Sequence, residues 1–218
     1  MPSKRFWAKN NPDLDLIETV EKTRFFVEKF KYKKFIHLSS VSARCQTHTI
    51  YGANKKKSED IVLRNSNNLI LRLGPIYGDG LDKGVLIDML NSKTVYIDGS
   101  SKYSFTSLKW VGEWICENSI SFSGLKEIGS KDFLVLNEIA KKINSKSVFQ
   151  GEVDDQLIID EETYNSKSDE VFDFLKIYGN KKSKKYFLYF YSFFLLRLYQ
   201  SILWKFRSPF FRLYYRLK

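Results

Sequence analysis

Apolar positions recur along this chain with two different periods. Leu16, Val20, Val27 and Phe30 fall at helical spacing behind Asn10-Asn11-Pro12-Asp13, where an Asn cap, a proline in the first turn and an acid near the positive helix end mark a start. The pattern predicts a helix whose stripe packs in the core, with residues 1–9 as a frayed arm. Phe35–Leu38 reads as a short strand running into Ser39-Ser40, with His37 a structural residue between Ile36 and Leu38. A helix is predicted from Gly52 to Arg64, carrying Tyr51 at its start. Leu69–Leu73 is a nearly unbroken apolar run, as a parallel strand covered on both faces requires. Arg72 interrupts it, either as a buried ion pair or as a contact to a ligand phosphate. Beyond it the pattern predicts a helix over Gly84–Leu90 and a strand over Thr94–Ile97, closed by Asp98-Gly99. Trp110, Val111, Trp114 and Ile115 form an apolar helix face, followed by a strand near Lys126–Gly129 and helices over Val135–Ile143 and Asp169–Tyr178. Asp154, Asp155, Asp160, Glu161 and Glu162 read as a solvated acidic face. This order gives an α/β fold.

Charge divides the chain. Of a net charge of +11 over 218 residues, ten Lys or Arg fall within 181–218 beside no acid, which leaves the first 180 residues almost neutral. Residues 186–218 also hold fourteen aromatics. Arg197, Gln200, Ser201 and Lys205 share one face of a helical projection, so an in-plane amphipathic helix on a membrane surface fits this tail better than a spanning one. Its long aliphatic and aromatic runs argue against nucleic acid. The polar N-terminus carries no apolar signal, and the two cysteines, Cys45 and Cys116, form neither a disulfide framework nor a metal spacing. The expected location is cytoplasmic, peripherally attached to a membrane.

The candidate chemistry lies between Phe35 and Gly80. Tyr51 and Lys55 stand four residues apart, on one helix face. A phenol is a weak acid or base at neutral pH, and an ammonium beside it favours the phenolate. Ser40, at the end of the preceding strand, could hold the oxygen that exchanges the proton. Such a set suits carbonyl/alcohol interconversion with hydride passing to or from a nicotinamide. The spacing recurs at Tyr178–Lys182 and Tyr214–Lys218, so context must select: only Tyr51 follows a strand ending in Ser-Ser and precedes one ending in Gly74-Pro75-Ile76-Tyr77-Gly78.

With FIHLSSV, YGANK, LILRLGPIYGDG, VYIDGSSKYSF and LKEIGSKDFLVLNEIAKKI in that order, roughly residues 10 to 145 resemble the extended short-chain dehydrogenase/reductases, the NAD-dependent epimerase/dehydratase family. The resemblance implies Ser40, Tyr51 and Lys55 as catalytic residues. It places Tyr51, Lys55, Gly74, Pro75 and Ile76 beside an NAD or NADP cofactor, with a sugar nucleotide or related alcohol/carbonyl compound as the small-molecule substrate. It implies a partial Rossmann-type sheet with a small substrate subdomain: residues 1–124 as the second half of the nucleotide-binding domain, 125–180 as the substrate subdomain and 181–218 as the tail.

Two features depart from the family pattern. Its glycine-rich phosphate-binding turn has no counterpart before Gly52, the first glycine, and Gly78, Gly80 and Gly84 are wrongly spaced for it, reading instead as a loop over the substrate side. Tyr103, Ser104 and Lys109 replace charged family residues, including an arginine that in many relatives contacts the substrate diphosphate. The expectation is therefore a chain that starts inside the nucleotide-binding domain, exposes a sheet edge, and takes its glycine-rich half from a partner chain. The alternative is a non-catalytic, membrane-tethered remnant or scaffold module.

Overall fold

The structure is a computed structural model that describes residues 5–81, 83–160 and 167–179. The chain divides into two compact units, Met1–Phe174 and Leu175–Lys218. Of the second unit, residues 175–179 are described, and they are helical.

The elements of the first unit follow in order. Residues 5–29 form α1 (Arg5–Asn10), α2 (Pro12–Leu16), a π-helical turn (Ile17–Glu21) and α3 (Lys22–Lys29). Then come β1 (Ile36–Ser40), α4 (Ser42–Cys45), α5 (Ile50–Val62), β2 (Leu69–Leu73), β3 (Ile76–Tyr77) and α6 (Val85–Leu90). They are followed by β4 (Lys102–Tyr103), β5 (Thr106–Ser107), α7 (Leu108–Asn118), β6 (Gly124–Ile128), β7 (Leu134–Val135) and α8 (Leu136–Lys142). The predicted strand at Thr94–Ile97 reduces to a single bridge, Val95 to Phe149.

β1, β2 and β6 form a parallel sheet in that order, with Ile36 opposite Leu69 and Leu73 opposite Ile128. Two smaller pairs, β3 with β5 and β4 with β7, stand apart from it. The apolar run of β2 is buried on both faces, as its composition predicts. On one face Leu69, Leu71 and Ile128 pack with Trp114 of α7. α5 covers the opposite face, where His37 Nε2 lies 3.1 Å from Ser58 Oγ and Ser39 Oγ donates to Glu59 at 2.6 Å.

Arg72 resolves as a buried ion pair. Its Nε and Nη2 reach the two Glu59 oxygens at 2.9 and 2.7 Å, and its Nη1 reaches Glu127 Oε1 at 3.3 Å. Arg44 closes the other side of Glu127 with bonds of 2.7 and 3.0 Å. The cluster fastens α5 to the sheet.

For the first thirty residues one expectation fails and another holds only in part. Residues 5–9 are part of a helix, with Ala8 fully buried, rather than a frayed arm. The α2–α3 stripe holds only in part: Val20 is buried and Val27 half-buried, but Leu16 and Phe30 are exposed, while Asp15, Thr19 and Thr23 are buried. The cause is the surface these helices meet. α5 offers them a polar side, and Asn54 Nδ2 donates to Asp15 Oδ2 at 2.8 Å, so polar positions point inward to satisfy buried partners.

The sheet also carries exposed apolar residues. Ile36 and Leu38 share the face of Leu69 and Leu71 by register, yet they remain 37% and 48% exposed. Among the described residues β1 pairs with β2 alone, so its outer edge is open. No helix of the described residues is long and apolar enough to cross a membrane. The tail at 181–218, with its expected membrane-surface role, lies outside the described residues.

Candidate active site

Ser40 and Tyr51 meet because of two tight local features. Ser40 ends β1 and its Oγ accepts the Ser42 N–H at 3.2 Å, capping the turn into α4. Thr49 caps α5, accepting the Gly52 N–H on its Oγ1 at 3.0 Å. Gly52 itself lies against α4: a Cβ there would come within 2.1 Å of the Gln46 carbonyl oxygen. The glycine beside Tyr51 therefore lets α5 start close to the strand end, so that Tyr51 and Ser40 line one cleft.

Both side chains line a cleft of about 390 Å³. Gly74, Pro75 and Ile76 line it too, held by Gly74 N–H to Ile128 O at 3.3 Å and Thr106 N–H to Pro75 O at 2.9 Å. Gly74 also has a packing reason to be glycine, since a Cβ would meet the Ser104 carbonyl oxygen at 2.9 Å. Leu81, Lys83 and Gly84 contribute to the wall from the loop before α6, followed by Val85, Leu86 and Ile87, with Tyr103 and Phe105 also in the lining.

Lys55 lies one turn along from Tyr51, with Nζ 5.9 Å from the phenol ring centroid, and is not among the residues lining the cleft. Burial pushes the Tyr51 phenol above its ordinary value, while the Ser40 hydroxyl and the Arg5 charge pull it down and Asp15 raises it further. Burial likewise lowers the Lys55 ammonium, against the carboxylates of Asp15 and Glu59. The phenol of this state is thus a protonated donor at neutral pH.

His37 lies behind the site. Burial, helped by the Lys55 charge, drops its imidazole from 6.5 to about 4. The unfolded chain takes up this proton at higher pH than the folded one, so the folded state loses stability as pH falls from about 6.5 to 4. Urea midpoints measured across that window should fall, and His37→Gln should flatten the fall.

Sequence reasoning misses two site residues. Arg5, expected in a frayed arm, stands in the cleft wall with Gln156. Asp154, expected on a solvated face, is only 8% exposed and pairs with Arg5 at 2.6 Å. No periodic signal marks either one, because a six-residue helix and an irregular loop carry them. Of the acidic group, Asp155 accepts the Lys102 N–H at 2.8 Å and Asp160 lies 3.9 Å from Lys126.

No protein-family model and no curated protein sequence matches the chain. Solved structures do. MoeE5 in complex with UDP-glucose and NAD aligns at TM-score 0.68 and 14% identity, over 84% of this chain and 77% of that one. TunA, a NAD-dependent NDP-hexosamine 5,6-dehydratase of tunicamycin biosynthesis, aligns at 0.61 and 15%, over 75% and 65%. The UDP-glucose 4-epimerase of Thermotoga maritima aligns at 0.59 and 15%, over 77% and 66%. The chain therefore shares the α/β, parallel-sheet fold of these structures.

Proposed function

We propose that this chain forms the substrate-binding and proton-transferring part of an NAD(P)-dependent enzyme of the epimerase/dehydratase kind, acting on a sugar nucleotide. The observation that carries the reading is the meeting of Ser40 and Tyr51 in one cleft, beside the Gly74–Ile76 turn and with Lys55 one helical turn away. Tyr51 exchanges a proton with the reacting hydroxyl or carbonyl oxygen, and Ser40 orients that oxygen. Lys55 holds the cofactor ribose and balances charge behind the phenol.

The residues fit one end of a nicotinamide dinucleotide: a phenol, an ammonium and a strand-end turn beside a cleft. Bound there, the nicotinamide supplies the hydride acceptor or donor that this chain lacks. For the diphosphate end these 218 residues offer no glycine-rich turn ahead of Gly52. A glycine-rich βαβ segment outside these 218 residues supplies that half, pairing with the open edge of β1 and covering Ile36 and Leu38. The exposed side of β1 supports this, since such an edge is a template for a further strand.

Calorimetric titration of UDP-glucose into the full chain tests the reading. Saturable binding is expected, weakened by Val85→Glu, which puts a negative charge into the cleft wall. Absence of binding, or binding indifferent to that change, refutes it.

The basic aromatic segment 181–218 attaches the enzyme to a membrane surface, a role supported by its ten cations and fourteen aromatics. The full chain should co-sediment with anionic phospholipid vesicles, and a chain ending at residue 180 should stay in the supernatant. Equal sedimentation of the two would remove the anchor.

A further inference from the structure

Arg5 enters the cleft from α1 with its guanidinium anchored on one side. Nη2 lies 2.6 Å from Asp154 Oδ2 and 3.4 Å from the Tyr103 hydroxyl. Asp154 is itself fixed. Its carboxylate accepts from Tyr103 OH at 2.9 Å, from Gln156 Nε2 at 3.1 Å and from Gln46 Nε2, while its N–H donates to Ser101 Oγ at 2.9 Å. The carboxylate is held in place, so the guanidinium is anchored through Nη2.

A guanidinium carries five donors in a rigid fork. Among the described residues the contacts to Asp154 and Tyr103 use Nη2 alone, and a third of the side chain (33%) remains exposed. Arg5 lines the cleft beside Tyr51 and also a second cavity of about 640 Å³, which shares Tyr51, Val85 and Ile97 with the first. The fork thus stands where the two spaces join. Lys83 adds a cation to the first cavity. In the second, Lys9 and His48 stand with Asp88 and Glu152. An anchored fork with unspent donors at a cavity junction matches the oxygens of a carboxylate or phosphate, and its charge also favours ionisation of the neighbouring phenol.

We propose that Arg5, anchored by Asp154, is the anion-recognising residue of this site, taking a carboxylate or phosphate group of the ligand beside Tyr51. The inference rests on the sugar-nucleotide reading above, and it names the part of the ligand that decides affinity.

The test is calorimetric titration of the full chain and of Arg5→Gln with UDP, UDP-glucose and UDP-glucuronic acid. Loss of charge-assisted hydrogen bonds should weaken binding by about tenfold or more. A loss equal for all three ligands assigns the diphosphate to Arg5; a loss confined to UDP-glucuronic acid assigns the sugar carboxylate. Either supports the proposal. Unchanged binding of all three by Arg5→Gln overturns it while leaving the sugar-nucleotide reading intact, whereas no binding by the unaltered chain ends both. Arg5→Lys, which keeps the charge without the fork, decides the matter if the glutamine variant does not fold: weaker binding upholds the fork, and unaltered binding overturns it.

Discussion

Tyr51→Phe should lower turnover by about 10²–10⁴-fold, the usual contribution of a positioned proton-transfer group. The assay is conversion of UDP-glucose by the full chain supplied with NAD and a glycine-rich βαβ segment. The substitution removes one hydroxyl and keeps the ring, so the start of α5, fixed by the Thr49 cap and the Gly52 contact, should survive. UDP-glucose affinity should then change little, because the loss falls on the transition state rather than on binding. Tyr178→Phe and Tyr214→Phe provide the contrast. Both tyrosines sit four residues before a lysine, as Tyr51 does, but neither follows a strand ending in Ser-Ser, and both variants should turn over normally. The pH dependence has a defined sign. Burial holds the Tyr51 phenol above its ordinary value, so the direction of reaction that needs a phenolate should gain rate as pH rises from neutral into the alkaline range.

Arg72→Met should cost about 3–5 kcal/mol of stability, read from urea unfolding of the full chain, as expected when one member of a buried ion cluster is removed. The side chain sits between Glu59 and Glu127, which are 0% and 2% exposed. Without it Glu59 keeps the Ser39 hydroxyl and Glu127 keeps Arg44, so neither retains the full set of donors that offsets its burial. A loss of this size is a large share of a typical domain's stability. The same cluster joins α5 to β2 and β6, so surviving protein should also show a broadened Tyr51 resonance. Arg72→Met combined with Glu59→Gln should recover part of the loss, since the second change removes the stranded charge. A single variant as stable as the unaltered chain would mean that the cluster is not buried as described.

The parts of this fold that are legible in the sequence are those in which packing and periodicity agree. β2 is apolar at nearly every position because both faces are covered, and α7 shows its Trp114 and Val111 face because that face turns inward. Order and spacing place the Ser-Ser strand end and the helix bearing Tyr51 and Lys55. Where a polar surface meets a polar surface, the pattern misleads. Of the apolar stripe over α2–α3, Val20 is buried but Leu16 and Phe30 are exposed, and Asp15 takes an inward position against Asn54. Arg5 and Asp154 are invisible for a different reason: they meet across most of the first unit's sequence, from α1 to the loop after α8, and no local pattern records such a contact. Arg72 is left between two roles by the sequence, and its two carboxylate partners, distant in sequence, decide it.

The central claim is that Tyr51 lies in a sugar-nucleotide site. The most direct measurement is a titration of UDP-glucose into the full chain carrying isotope-labelled tyrosine, with the Tyr51 ring signal assigned by its disappearance in Tyr51→Phe. A saturable shift of that signal is expected, with Tyr32, which packs on Phe35 outside the cleft lining, unmoved. A Tyr51 signal that stays in place at saturating UDP-glucose would contradict the claim.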